Sequence, residues 1–291
     1  DFIGYALPGA FTISLIQLYN FDVIQEILDV IYKQSKGMTS IYIISFVIIS
    51  YVLGHLINFL SSLTVENLAI WLYGYPSSFL LEKPQGYRYL KRDFMSEDKI
   101  EQNKNCTFRI KCAIRVLLWL FLLPISLLSL FLGKTLRTNN LILKPMGTSY
   151  WETLKVQWKK YIRANGFYHL DENHPEKYYR IITSYVYENS TIHAIKMDNY
   201  VALYGFLRSM SLIVSSVCVA LLMVNYTTLF FCDGGEILSF SSLLLNRKML
   251  NILILSIVAY LFFIAFLKFY RRYTLEAFSG FIAINTELKA K

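Results

Sequence analysis

Residues 41–66 read IYIISFVIISYVLGHLINFLSSLTVE. Up to Leu63 the stretch holds no Asp, Glu, Lys or Arg. An α-helix rises about 1.5 Å per residue and the hydrocarbon core of a bilayer is about 30 Å thick, so about 20 such residues make one crossing. Shorter polar signals are superposed on this apolar run. His55, Asn58, Ser62 and Glu66 are spaced by three, four and four, which places them on one helical face. Facing lipid, that stripe would be costly, so it is expected to face other helices or water. Two readings follow. In one, the stripe makes interhelical hydrogen bonds, with Gly54 and Ser61 permitting close approach. In the other it lines a hydrated path or a proton-sensitive gate, because a histidine titrates near neutral pH.

Working outward, comparable apolar runs occupy residues 2–19, 200–224 and 249–269. With 41–63 they predict four membrane-spanning helices. A fifth run, 113–132, is also long enough, with Pro124 at its centre. Trp and Tyr gather near the run ends, as interfacial anchors do. The whole chain is 55% hydrophobic yet carries a formal charge of +9. No basic stretch precedes residues 2–19 and no small-residue cleavage pattern follows, which argues against a secretory signal.

Charge placement bears on the fifth run. The 19–41 and 225–249 connections are poor in net positive charge and read as external, whereas the end after Phe269 carries Arg271, Arg272, Lys289 and Lys291 and reads as internal. One basic stretch holds Lys83, Arg88, Lys91, Arg92, Lys99, Lys104, Arg109 and Lys111; a second runs from Lys134 to Arg163. A spanning 113–132 would divide them between two sides. A non-spanning 113–132, either re-entrant and kinked at Pro124 or a helix buried in the cytoplasmic body, keeps both inside and leaves four spans with cytoplasmic termini. The expected fold is therefore all-α: spans within 1–66, a basic helical body over 67–198 that includes 113–132, a transmembrane hairpin over 199–270, and a cytoplasmic tail over 271–291.

Within the body, Ser149-x-x-Glu152 has capping-box spacing and Asn165-Gly166 supplies a stop, predicting a helix over 150–164. Pro175 suits the first turn of the next helix, running to about Glu188. Thr191 starts another that continues into the 200–224 run. Leu7-Pro8-Gly9 reads as an opening turn, and residues 21–32 as an amphipathic outer stretch.

Arg208 lies inside an apolar run, with Ser211 and Ser215 at following helical positions. A central Arg costs about 2.5–3.5 kcal/mol on insertion scales, so it needs a partner. The second run leaves the membrane where the 200–224 run enters it, which makes Glu66 the expected counter-ion. Lys155, Lys159, Lys160 and Arg163 share a helix with Trp151, Trp158 and Tyr161. Anionic lipid heads at the inner surface, or a cytoplasmic protein partner, suit that combination. Nucleic acid does not, since no glycine-rich phosphate loop or RNA-binding signature accompanies it.

Catalytic signals are absent. There is no GxSxG, HExxH or Walker pattern, no paired carboxylate and no cofactor motif. The His169–His174 stretch matches no zinc spacing and reads as a polar turn. Cys106, Cys112, Cys218 and Cys232 form no CxxC pair. Cys218 reads as a thiol packed in an apolar run, and Cys106 and Cys112, with no nearby His, read as free thiols of a reducing compartment in preference to metal ligands or a bridge. The sequons at Asn105, Asn189 and Asn225 are short matches that establish no secreted context. An enzyme, a metal site and a cofactor are not expected.

Tyr5-x-x-Pro8-Gly9, Tyr51-x-x-Gly54-His55, Ser61-Ser62 and Glu66 together resemble a pattern in uncharacterised bacterial multi-span inner-membrane proteins, some encoded beside anti-phage defence genes. The resemblance covers the first two runs, roughly a quarter of the chain. It implies a bacterial inner-membrane location and a role as a membrane-disrupting effector. The function expected from all of this is an oligomeric, channel-like effector answering a cytoplasmic signal, with a non-catalytic anchor or scaffold as the alternative and a small transporter or lipid-modifying enzyme ranked behind it.

Overall fold

The computed structural model describes residues 2–18, 39–81, 106–135, 146–172, 175–231 and 247–287. Among them all regular structure is helical, with no strand. The helices are α1 Phe2–Leu18, α2 Thr39–Ser61, α3 Asn67–Tyr73, α4 Pro76–Leu81, α5 Cys106–Phe121, α6 Leu123–Thr135, α7 Thr148–Ala164, α8 Tyr179–Asn189, α9 Thr191–Phe231 and α10 Arg247–Glu287. A π-turn at Ser62–Glu66 joins α2 to α3, and a 3₁₀ turn at Pro175–Tyr178 leads into α8. The 21–32 stretch, Cys232, His174 and most of the two basic stretches lie outside the described residues.

Three stretches are long and apolar enough to cross a membrane: Ile43–Tyr73, Thr191–Val224 and Met249–Thr286. Helix α1 has 17 described residues, about 25 Å of rise, at the short end of the range for a crossing. Expected spans 200–224 and 249–269 are each part of a 41-residue helix. Hence Arg271 and Arg272 stand within α10, and most of the expected tail is helix.

The chain forms two compact units. The first holds residues 1–67, 112–131 and 205–263; the second holds 68–111, 132–204 and 264–291.

In the first unit α1 and α2 cross antiparallel. A side chain built on Gly9 would lie 1.8 Å from the Ser50 carbonyl oxygen, and one on Gly54 would lie 1.8 Å from that of Tyr5. Only glycine admits that approach. The Tyr5 ring stacks on His55 at 4.0 Å, and Tyr51 meets His55 edge-on at 4.5 Å. Pro8 sits inside α1, not in an opening turn, and Thr12 Oγ1 donates to its carbonyl at 2.8 Å. Ile44, Ile48, Val52, Leu56, Phe59 and Leu63 form an exposed apolar stripe along α2 and its π-turn, a surface suited to lipid tails. Helices α9 and α10 also run antiparallel in this unit. Ser211 Oγ donates to the Ala259 carbonyl at 3.2 Å, and Cys218 Sγ lies 3.1 Å from Ser256 Oγ.

The 113–132 run is broken, with 88° between residues 115–121 and 123–132. Pro124 causes the break: it has no N–H to donate and its ring clashes with the carbonyl four residues back. The fully buried Ser126 hydroxyl donates to the Trp119 carbonyl at 3.3 Å and the Leu122 carbonyl at 3.0 Å. The Trp119 carbonyl thus has a partner at the bend away from water, while that of Leu122 also accepts the Ser126 N–H at 2.9 Å.

The second unit is packed around aromatic rings. Leu154, Trp158 and Ile162 of α7, Ile182 and Val186 of α8, Met197 of α9 and Phe278 and Phe281 of α10 are fully buried. Trp158 lies 5.4 Å from the Tyr178 ring and 6.1 Å from Phe281, and its Nε1 donates to the Asp171 carbonyl at 3.1 Å. Helix α7 ends as expected: Gly166 takes φ +70°, and the Phe167 N–H donates to the Ile162 carbonyl at 3.0 Å. That is the six-to-one bond of a Schellman stop. Its start differs from expectation. Gly147 is the N-cap and no side chain caps it, so Ser149 lies inside the helix and the capping box does not form.

Candidate functional site

The site grows from the end of α2, where an apolar helix meets its first acidic residue. Across from it Arg208 reaches out of α9, only 7% exposed. Its Nη1 donates to the Glu66 carboxylate, forming the ion pair expected from the order of the runs. Nε donates to Ser61 Oγ at 3.1 Å. Nη2 donates to Asn58 Oδ1 at 3.0 Å and to the Asn58 carbonyl at 3.4 Å. Ser209 extends the cluster, its hydroxyl 3.4 Å from Ser61 Oγ and donating to Asn58 Oδ1 at 3.5 Å. A desolvated guanidinium is tolerable only when its donors are bonded, and these acceptors answer that need.

The expected stripe is therefore only partly one site. Asn58 and Glu66 belong to it. Ser62 does not, for its hydroxyl donates back to the Phe59 carbonyl at 2.9 Å. His55 is exposed and stacked against Tyr5. Ser61 and Ser209 take part instead.

Helix geometry gives the reason. In an unbroken α-helix, Ser61 and Glu66 would stand about 140° apart around the axis, too far to serve one guanidinium head. Turns of the π type bond five residues along instead of four, so they take up an extra residue per turn. At Ser62–Glu66 that residue brings Glu66 back by about 100°, into the sector between Ser61 and Asn58. Sequence periodicity assumes constant pitch, so it selects Ser62 over Ser61. The only hint available was that one Arg head needs several acceptors at once.

The second candidate surface is α7. Lys155 and Lys159 are half-buried and Lys160 is exposed. Lys155 Nζ rests 4.6 Å above the Trp151 ring. Arg163 is engaged elsewhere, donating to both Glu172 oxygens at 3.3 and 3.2 Å. That hydrogen-bonded carboxylate holds its guanidinium above the usual range. Trp158 is a core residue, leaving Trp151 and the half-buried Tyr161 as aromatics nearer the surface.

Elsewhere in this unit His193 Nδ1 lies 2.8 Å and Lys196 Nζ 3.4 Å from Glu276 Oε1. Tyr150 Oη donates to Ser279 Oγ, and burial pushes the Tyr150 and Tyr179 phenols up. Among the described residues no three His, Cys, Asp or Glu side chains group as metal ligands would.

No protein-family model, no curated protein and no solved structure matches the chain.

Proposed function

We propose that this protein is an oligomeric effector of the bacterial inner membrane that conducts across or perturbs the bilayer when its basic region receives a cytoplasmic signal. The Arg208–Glu66 pair on its π-turn carries this reading. Ionisable groups on apolar helices are costly, and they mark ion paths, relays and gates. Turns of the π type also concentrate at functional sites. In this reading the pair is a latch of the closed state, and the resting protein is silent.

Two further features support the reading. The bend at Pro124 suits a re-entrant 113–132 segment, which keeps both basic stretches on the cytoplasmic side and leaves the termini inside. Lys155, Lys159 and Lys160 suit anionic lipid heads at that surface. The resemblance of the first two runs to bacterial inner-membrane proteins supports the location and a role in anti-phage defence. Of the residues that carry it, Tyr5, Gly9, Tyr51, Gly54 and His55 serve the α1–α2 crossing, whereas Ser61 and Glu66 bond Arg208.

Ion flux in liposomes tests the proposal. Arg208→Gln and Glu66→Gln are expected to raise flux about tenfold over the wild type, which corresponds to a loss of about 1.4 kcal/mol from the closed state. A folded oligomer that passes nothing, with either variant and with an activating partner, removes conduction.

One observation favours a second reading, a non-catalytic membrane anchor recruiting a soluble partner. Asn58, Ser61, Glu66, Arg208 and Ser209 bond one another within a single chain, as a static packing site also would. An anchor would show a stable complex through the α7 surface and no flux in any variant.

A further inference from the structure

We propose that the Ser62–Glu66 π-turn is a register switch, held in its wide form by Arg208. The inference rests on the latch reading above and names how that latch is released.

The guanidinium bonds on both sides of the widened turn. Asn58 and Ser61 lie before it and Glu66 closes it. These groups converge only while the extra residue is kept in the turn. The wide turn is the less common choice, since π geometry is rare and occurs mostly as single turns inserted in α-helices. No side chain other than Arg208 is bonded to residues on both sides of this turn among the contacts described. Thr64 donates to the Leu60 carbonyl at 2.8 Å and Ser62 to the Phe59 carbonyl at 2.9 Å, both within the helix itself.

Losing the Arg208 bonds removes the polar tie across the turn, so that only the packing of Val65, Leu68, Ala69, Leu72 and Tyr73 opposes a return to four-residue bonding. Glu66 then swings by about 100° around the axis, away from the sector of Asn58 and Ser61. The acid leaves its counter-ion by rotation of a backbone segment. The two registers differ by one whole residue in the turn, which distinguishes them in the backbone bonding pattern.

A one-residue deletion separates the switch from the pair. Without Thr64, Glu66 follows Asn58 by seven residues, which in a plain α-helix places it about 20° from Asn58. Pairing with Arg208 then needs no π-turn, and there is no register to shed. The experiment compares wild type, Arg208→Gln, Glu66→Gln, the Thr64 deletion, and the deletion combined with Arg208→Gln, all reconstituted in bilayers. Solid-state NMR of residues 58–67 reads the backbone bonding, and liposome flux is measured on the same samples. The expected result is π bonding in the wild type, α bonding in both point variants, and α bonding with wild-type-level flux in both deletion forms. Retention of π bonding in Arg208→Gln and Glu66→Gln overturns the switch whatever the flux. A change to α bonding with no flux in any sample keeps the switch and removes the conduction reading instead. If Arg208→Gln does not fold, Glu66→Gln decides by the same criterion.

Discussion

A methyl group placed on Gly54 would stand 1.8 Å from the backbone carbonyl oxygen of Tyr5. The obstacle is main chain on a packed helix, so it cannot be relieved by a rotamer change. Gly54→Ala is expected to push α1 from α2 and to cost about 1–3 kcal/mol, the range for overpacked cores. Gly9→Ala, against the Ser50 carbonyl, should behave alike. Gly4→Ala serves as the control, since nothing lies within 4 Å of its added carbon. Unfolding in mixed micelles measures all three.

Arg208 and Glu66 should not be equally sensitive. The Arg208 side chain is 8% exposed and that of Glu66 25%. Glu66→Ala leaves the nearly buried guanidinium with neutral acceptors only and no counter-ion, a loss of about 3–5 kcal/mol for a broken buried pair. Arg208→Ala should cost less, because the carboxylate it leaves is the more exposed of the two and can be hydrated. Exchanging the two charges should rescue only in part, since Glu at 208 loses the donors that now serve Asn58 and Ser61. Equal losses, or full rescue, would contradict this geometry.

Pro124 should control the shape of the 113–132 segment. Pro124→Ala restores a donor and removes the ring clash, so the 88° bend is expected to open toward a straight helix. Distances between spin labels on the two arms would report it. In the wild type, impermeant reagents are expected to reach Cys106 and Lys144 from the same, cytoplasmic side. Labelling from opposite sides would make the bent segment a crossing.

The α7 surface should divide into stability and binding residues. Trp158→Ala removes a fully buried ring and should cost about 3–5 kcal/mol. Lys159→Glu and Lys160→Glu should leave stability nearly unchanged. Each removes one positive charge and adds a negative one, and is expected to weaken binding to phosphatidylserine vesicles by more than about fivefold. Arg163→Ala should weaken it less, because Glu172 already neutralises that guanidinium.

Burial raises the Tyr179 phenol above its ordinary value. A group whose folded pKa exceeds its unfolded one contributes stability that is complete below the unfolded pKa, about 10 for tyrosine, and is lost as pH rises past it. Absorbance titration near 295 nm should therefore show Tyr179 ionising together with unfolding, and Tyr179→Phe should remove that component. Early ionisation in a folded protein would contradict its burial.

What the chain declares by itself is local. Apolar runs near 20 residues, the stop at Asn165-Gly166, the start at Thr191 and the need of Arg208 for an acid are legible because helix pitch and desolvation act on neighbouring residues. Tertiary structure decided the rest. Glu66 and Arg208 lie 142 positions apart, and only their meeting shows that the helix widens at Ser62–Glu66. That widening puts Ser61 in the site expected for Ser62. Gly9 and Gly54 gain meaning only from a carbonyl on the opposing helix. Arg271 and Arg272 suggested the start of a tail, yet α10 continues past them because Ala277, Phe278 and Phe281 have a core to fill. Periodicity reports which face of a helix is apolar; it carries no information about how near another backbone will come, or about a pitch that changes to meet it.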